Sequence, residues 1–79
     1  MNIQLKFFGM LAEAIDKTEE IIYVEEGSTV SEISMLITTK YPKLQNINFK
    51  LAVNQTIANN SFQVKDNDEI ALLPPFAGG

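Results

Sequence analysis

The chain has 79 residues, with 10 acidic against 6 basic side chains, a net charge of −4 and an apolar content of 46%. That is one globular domain, too short to hold a catalytic domain beside a regulatory one and too apolar for disorder. All the basic residues are lysine and there is no His or Cys, so the guanidinium fork that grips phosphate, the usual general base, the thiolate nucleophile and the common metal ligands are missing.

The predicted elements follow in chain order. "MNIQLKFF" alternates Ile3, Leu5 and Phe7 against Asn2, Gln4 and Lys6, the period of a half-buried strand, with Phe8 falling on the polar face. "GMLAEAIDK" places Met10, Leu11, Ala14 and Ile15 at helical spacing for a turn or two. "EEIIYVE" is β-branched and aromatic and reads as a second strand closed by Gly27. "STVSEISMLITTKYP" is the principal helix, with Thr29 and Glu32 as a capping box, Val30, Ile33, Leu36 and Ile37 on one face, Tyr41 continuing it and Pro42 ending it. "KLQNINFK" shows no period and reads as loop. "LAVNQ" and "TIANN" read as two short strands around a polar turn, and "FQVKDNDEIALLPP" as the last strand, preceded by a turn in which Asn67 takes a left-handed conformation. Ile70 and Leu72 alternate with Glu69 and Ala71, and Leu73 again falls on the polar face. Strand, strand, helix and further strands make the class α+β.

Phe8 and Leu73 are apolar residues on the wrong face, each at the end of its strand. If the first and last strands lie side by side and parallel, both ends meet at one edge of the sheet, where Phe76 and the tail also emerge, and an apolar patch there is a binding surface. Pro74 and Pro75 cannot continue the ladder and direct the chain outward, extended. The four residues beyond Pro75 reach about 13 Å. Gly78 and Gly79 lack a Cβ, so they can thread a narrow channel in another protein and place the terminal carboxylate at its end. The carboxylates of "EE" and "DEI" alternate between strand faces and read as solvated surface, leaving no metal site.

Taken together, "KFFGMLAE", "LAVNQT" and "DNDEIALLPPFAGG" resemble the MoaD-type sulfur carriers, the small subunits of molybdopterin synthase, in matching order over nearly the whole chain. The resemblance implies a ubiquitin-like β-grasp, a mixed sheet packed on one main helix, as a single domain over residues 1–79 with a flexible tail at about 75–79. It implies that the C-terminal carboxylate of Gly79, preceded by Gly78, is the working group. An E1-like adenylating enzyme of the MoeB type, using ATP, would activate it, and a sulfur donor protein would convert the acyl-adenylate to a thiocarboxylate. The charged tail would then enter the MoaE-type large subunit, as a heterotetramer, and deliver sulfur to cyclic pyranopterin monophosphate for the dithiolene of the molybdenum cofactor. Phe8, Ile57 and Leu73 match the family's hydrophobic contact with both partners, bordered by Pro74, Pro75, Phe76 and Ala77. The carrier itself binds no cofactor and is a non-catalytic subunit. The chain departs from the family at Asn67, where Gly is frequent, and at Ala12, where Arg is frequent.

Lacking arginine, the chain is a poor nucleic-acid ligand, and its acidity suits a basic partner surface. No apolar run approaches membrane-spanning length and no secretory signal opens it, so the expectation is a cytoplasmic protein without a membrane partner. The alternatives are a thiamine-pathway carrier of the ThiS type, a ubiquitin-like modifier that forms isopeptide bonds, and a β-grasp interaction module with no chemistry at its terminus. A [2Fe-2S] protein of similar fold would need cysteines and is excluded.

Overall fold

The period-two alternation of the first strand organises the structure, a computed structural model that describes residues 1–74. Strand β1 (Asn2–Phe7) buries Ile3, Leu5 and Phe7 and leaves Asn2, Gln4 and Lys6 on the other face. Helix α1 (Gly9–Ile15) follows directly, burying Leu11 and ending on Asp16 in the left-handed conformation. Strand β2 (Glu19–Tyr23), helix α2 (Val30–Lys40), strands β3 (Lys50–Val53) and β4 (Thr56–Ile57), and strand β5 (Glu69–Leu73) complete the order.

The sheet order is β2-β1-β5-β3-β4. β1 pairs antiparallel with β2 but parallel with β5, in the register Leu5↔Ile70 and Phe7↔Leu72. β5 and β4 both run antiparallel to β3. The first and last strands are thus adjacent and parallel within a mixed sheet, which meets the condition under which their apolar ends come together.

One face of this sheet is closed by α2. Val30, Ile33 and Ile37 join Ile3, Leu5, Phe7, Leu51, Val53, Ile70 and Leu72 in a single cluster with Leu11 and Leu44. The expected capping box is present: Glu32 N–H donates to Thr29 Oγ1 at 3.2 Å, and Thr29 N–H donates to Glu32 Oε1 at 2.9 Å, satisfying two donors that the helix start would otherwise orphan. Asn67 has φ 67° as expected, and the polar turn between β3 and β4 is made by Asn54 and Gln55, both at positive φ.

Three local expectations are corrected. Leu36 is not a core residue but 40% exposed, because the arc of α2 that meets the sheet is narrower than its apolar stripe. Met10 lies in α1 as its spacing predicted, and is exposed, since only Leu11 of that short helix turns fully inward. "KLQNINFK" is not wholly loop: Pro42–Leu44 form a 3-10 turn that buries Leu44, and Lys50 opens β3. The second strand stops at Tyr23, although Val24 stays buried and bonded to Met1.

Candidate functional site

The face of the sheet away from α2 is built by the alternate residues of each strand. On β1 these are Asn2, Gln4 and Lys6, and Phe8 extends the series: its backbone is still extended at φ −124° and ψ 154°, while its carbonyl already accepts the N–H of Leu11 at 3.1 Å to begin α1. Phe8 is therefore both the last extended residue of β1 and the N-cap of a helix. Its ring remains 45% exposed.

Strand register gathers the other predicted residues on the same face. Since Phe7 pairs with Leu72, Leu73 lies beside Phe8, and Leu73 in turn pairs with Lys50. One step back, Lys6 pairs with Ala71, Ala71 with Ala52, and Ala52 with Ile57. Ile57 stands two strands from β5, about 10 Å across the sheet, and is 58% exposed. The two alanines between keep the floor low, so Phe8, Leu73 and Ile57 rise around a shallow apolar surface. Lys6, paired with Glu69 at 3.8 Å, and the exposed Lys50 flank it. Net acidity does not reside here.

Gly9 is a residue that sequence reasoning quoted without giving it a role. It has φ +53°, and a Cβ built on it would lie 3.3 Å from Cγ of Pro74. Pro74 therefore leaves the sheet pressed against the backbone that starts α1, and the glycine makes room for it. The available signal was a glycine between a strand end and a helix start, where a left-handed residue is often required. Leu73 and Pro74 are half-buried. Pro75, Phe76, Ala77, Gly78 and Gly79, named above as tail and working group, lie outside the described residues.

A second polar cluster stands at the same end of the molecule. Glu20 of β2 accepts from Lys40 and from the Tyr41 hydroxyl, and Lys17 lies 3.6 Å away. Burial pushes the Glu20 carboxyl up, but the hydrogen bonds from Lys40 and Tyr41 and the charges of Lys40 and Lys17 outweigh it, leaving the group below its ordinary value. The Tyr41 ring meets Phe7 edge-on, with centroids 6.0 Å apart. These groups tie β2 to the end of α2 and are consumed in doing so, leaving none free for proton transfer.

Comparison with known proteins places this arrangement. The ThiS family model matches residues 5–79. The molybdopterin synthase sulfur carrier subunit of Caenorhabditis elegans is 37% identical, with 100% of this chain and 99% of that protein covered, and that of Mycobacterium tuberculosis is 35% identical at the same coverage. Among solved structures, SAMP1 from Haloferax volcanii matches with a TM-score of 0.87 at 22% identity, covering 100% of both chains. A chain of the complex of subunits 1 and 2 of molybdopterin-converting factor from Helicobacter pylori matches with a TM-score of 0.72 at 27% identity, again over 100% of both chains. The fold is the ubiquitin-like β-grasp.

Proposed function

The chain belongs to the ThiS family, and because its full-length relatives at 35–37% identity are molybdopterin synthase sulfur carriers, we propose that it is the sulfur carrier subunit of a molybdopterin synthase and not a thiamine-pathway carrier, working through the carboxylate of Gly79. The observation that carries the reading is the parallel pairing of β1 with β5, which brings Phe8, Leu73 and the start of the tail at Pro74 to one end of one face. Full-length similarity to proteins named as such carriers supports it.

A carboxylate is a poor electrophile until one oxygen becomes part of a good leaving group. The carrier has no side chains of its own for that step, so an adenylating partner supplies it: a Gly79 oxygen attacks the α-phosphorus of ATP and pyrophosphate leaves. The outer sulfur of a persulfide on the donor then attacks the acyl carbon and AMP departs with the bonding electrons; a second thiol attacks the donor's own sulfur in the resulting acyl disulfide, forming a disulfide with it and releasing the terminus as a thiocarboxylate. The protein's share is positioning. The face formed by Phe8, Leu73 and Ile57 docks on the partner, and the Pro74–Gly9 contact sets where the tail leaves. The large subunit is the recipient partner, a proposal that rests on the paired subunits of the Helicobacter pylori complex. There the sulfur passes to cyclic pyranopterin monophosphate. A cytoplasmic location goes with these partners, and among the described residues no helix is long and apolar enough to cross a membrane.

The test is mass spectrometry of the protein incubated with an activating enzyme, ATP and a sulfur donor. The expected product carries one sulfur in place of one oxygen, localised to the C-terminal peptide and dependent on ATP. Localisation is required because oxidation of Met1, Met10 or Met35 adds nearly the same mass. A terminus that stays sulfur-free under these conditions removes the proposal.

A further inference from the structure

The opposite end of the sheet carries a second surface that carrier chemistry does not use. β2 is an edge strand with only β1 beside it. Met1 N donates to Val24 O at 2.8 Å and Val24 N–H to Met1 O at 2.8 Å, while Phe7 N–H donates to Thr18 O at 2.9 Å. Antiparallel alternation then turns Ile22 and Glu20 toward β1, and the N–H and C=O groups of Ile21 and Tyr23 outward from the edge. Such an edge is a template for another strand. Ile21 is 67% and Tyr23 65% exposed; β2 has no lysine, proline or bulge, and its charged residues, Glu19 and Glu20, stand at the end away from Tyr23.

Beneath this edge, β2 and α2 enclose a groove of ≈ 310 Å³ lined by Tyr23, Val24, Glu25, Ser28, Glu32, Ile33 and Leu36. Its floor is apolar, and Leu36, the residue that failed to enter the core, forms part of the wall. Its charges are of one sign. Glu25 and Glu32 line it, Glu26 follows Glu25, and no lysine takes part. Lys40, at the far end of α2, is held by Glu20.

We propose that the β2 edge and the groove beneath it dock an extended, apolar peptide segment with flanking basic residues, contributed by a partner protein, as an added strand. The acidic rim selects the charge, the free backbone groups of Ile21 and Tyr23 bind the main chain, and the wall at Leu36 takes an apolar side chain. A second copy of this chain brings the groove no run of basic residues: in an antiparallel pairing centred on Ile21 only Lys17, already held by Glu20, would face Glu25, and the next register sets Glu19 against Glu25. The chain's own tail starts from Pro74, beside the Phe8 end of β1, whereas the groove lies beside Met1 at the other end. Both surfaces can therefore be occupied at once.

The experiment titrates the isotope-labelled full chain with the capped peptide Lys-Lys-Val-Thr-Val-Thr-Val-Lys-Lys, and separately with its Glu-flanked counterpart, following backbone amide shifts. Saturable shifts at Ile21, Tyr23, Glu25 and the Glu32–Leu36 face are expected with the lysine peptide alone, weakening with added salt. Reversing two rim charges in Glu25→Lys/Glu26→Lys should weaken binding about tenfold. Ile21→Pro should abolish it, since the lost N–H faces outward; if that variant does not fold, the charge-reversed protein still decides. Absence of saturation at millimolar peptide, equal response to the Glu-flanked peptide, or shifts centred on Phe8, Ile57 and Leu73 would each overturn the proposal. So would concentration-dependent shifts of the β2 amides without peptide, which assign the edge to a second copy.

Discussion

At Gly9 the backbone sits at φ +53° with Pro74 packed against the space a side chain would need. Gly9→Ala meets two costs, the left-handed conformation of an L-residue, about 1–2 kcal/mol, and a contact at 3.3 Å with Pro74 Cγ that some movement must relieve. Lower stability in urea at an unchanged slope is expected, together with slower sulfur loading because the tail leaves in another direction. Leu73 is a different case. It is half-buried on the face away from the core, so Leu73→Glu should shift stability by no more than about 1 kcal/mol. Calorimetric titration with the large subunit should nevertheless show at least about tenfold weaker binding, the penalty of placing a charge in an apolar contact. Normal affinity of that variant would separate the Phe8–Leu73–Ile57 face from partner docking.

Among the elements, α2 is the one whose ends and inner face are most fully specified by local chemistry. Thr29 and Glu32 exchange hydrogen bonds at its start, and Thr29→Ala should cost about 1 kcal/mol, seen as a melting temperature lowered by about 4–8 °C for a domain of this size, with Thr29→Ser recovering most of it. Its other end is held to β2 through Glu20. Because the folded Glu20 carboxyl lies below its ordinary value, the folded state binds fewer protons there than the unfolded chain. The stabilisation is therefore complete above the ordinary carboxylate pKa of about 4.3 and is lost as pH falls through the lower folded value. Comparing the pH dependence of unfolding in the wild type and Glu20→Gln should show the two curves converging in acid and separating toward neutrality. Parallel curves would mean that Lys40 and Tyr41 do not hold the charged form.

For the whole molecule, the core among the described residues is complete before the tail begins. The buried cluster runs through β1, α1, β2, α2, β3 and β5, and Leu72 is its last member among the described residues. Removing Gly78 and Gly79 should accordingly leave the melting curve unchanged while abolishing the ATP-dependent sulfur gain; a truncated protein that still acquired C-terminal sulfur would contradict the assignment. Charge is also divided by position. Lysines border the Phe8–Leu73–Ile57 face, and glutamates border the β2 edge. The acidity that suggested a basic partner from composition thus points to the second surface and not to the first.

Much of this was legible locally. The alternation of Ile3, Leu5 and Phe7, the Thr29–Glu32 box and the left-handed Asn67 all depend on neighbours within a few residues, so they can be read before the chain is folded. The misplacement of Phe8 and Leu73 was equally visible, and Ile57 was reached only through family resemblance, since one exposed isoleucine in a two-residue strand carries no signal. What needed the tertiary structure was pairing across long separations. Whether Phe7 meets Leu72, whether Gly9 must yield to Pro74, how much of the α2 stripe the sheet covers, and which strand is left at the edge depend on contacts between residues far apart in sequence. Sequence determined which faces were apolar and where the chain turned; packing decided which faces met, because burial rewards any apolar partner and only chain connectivity and register choose among them.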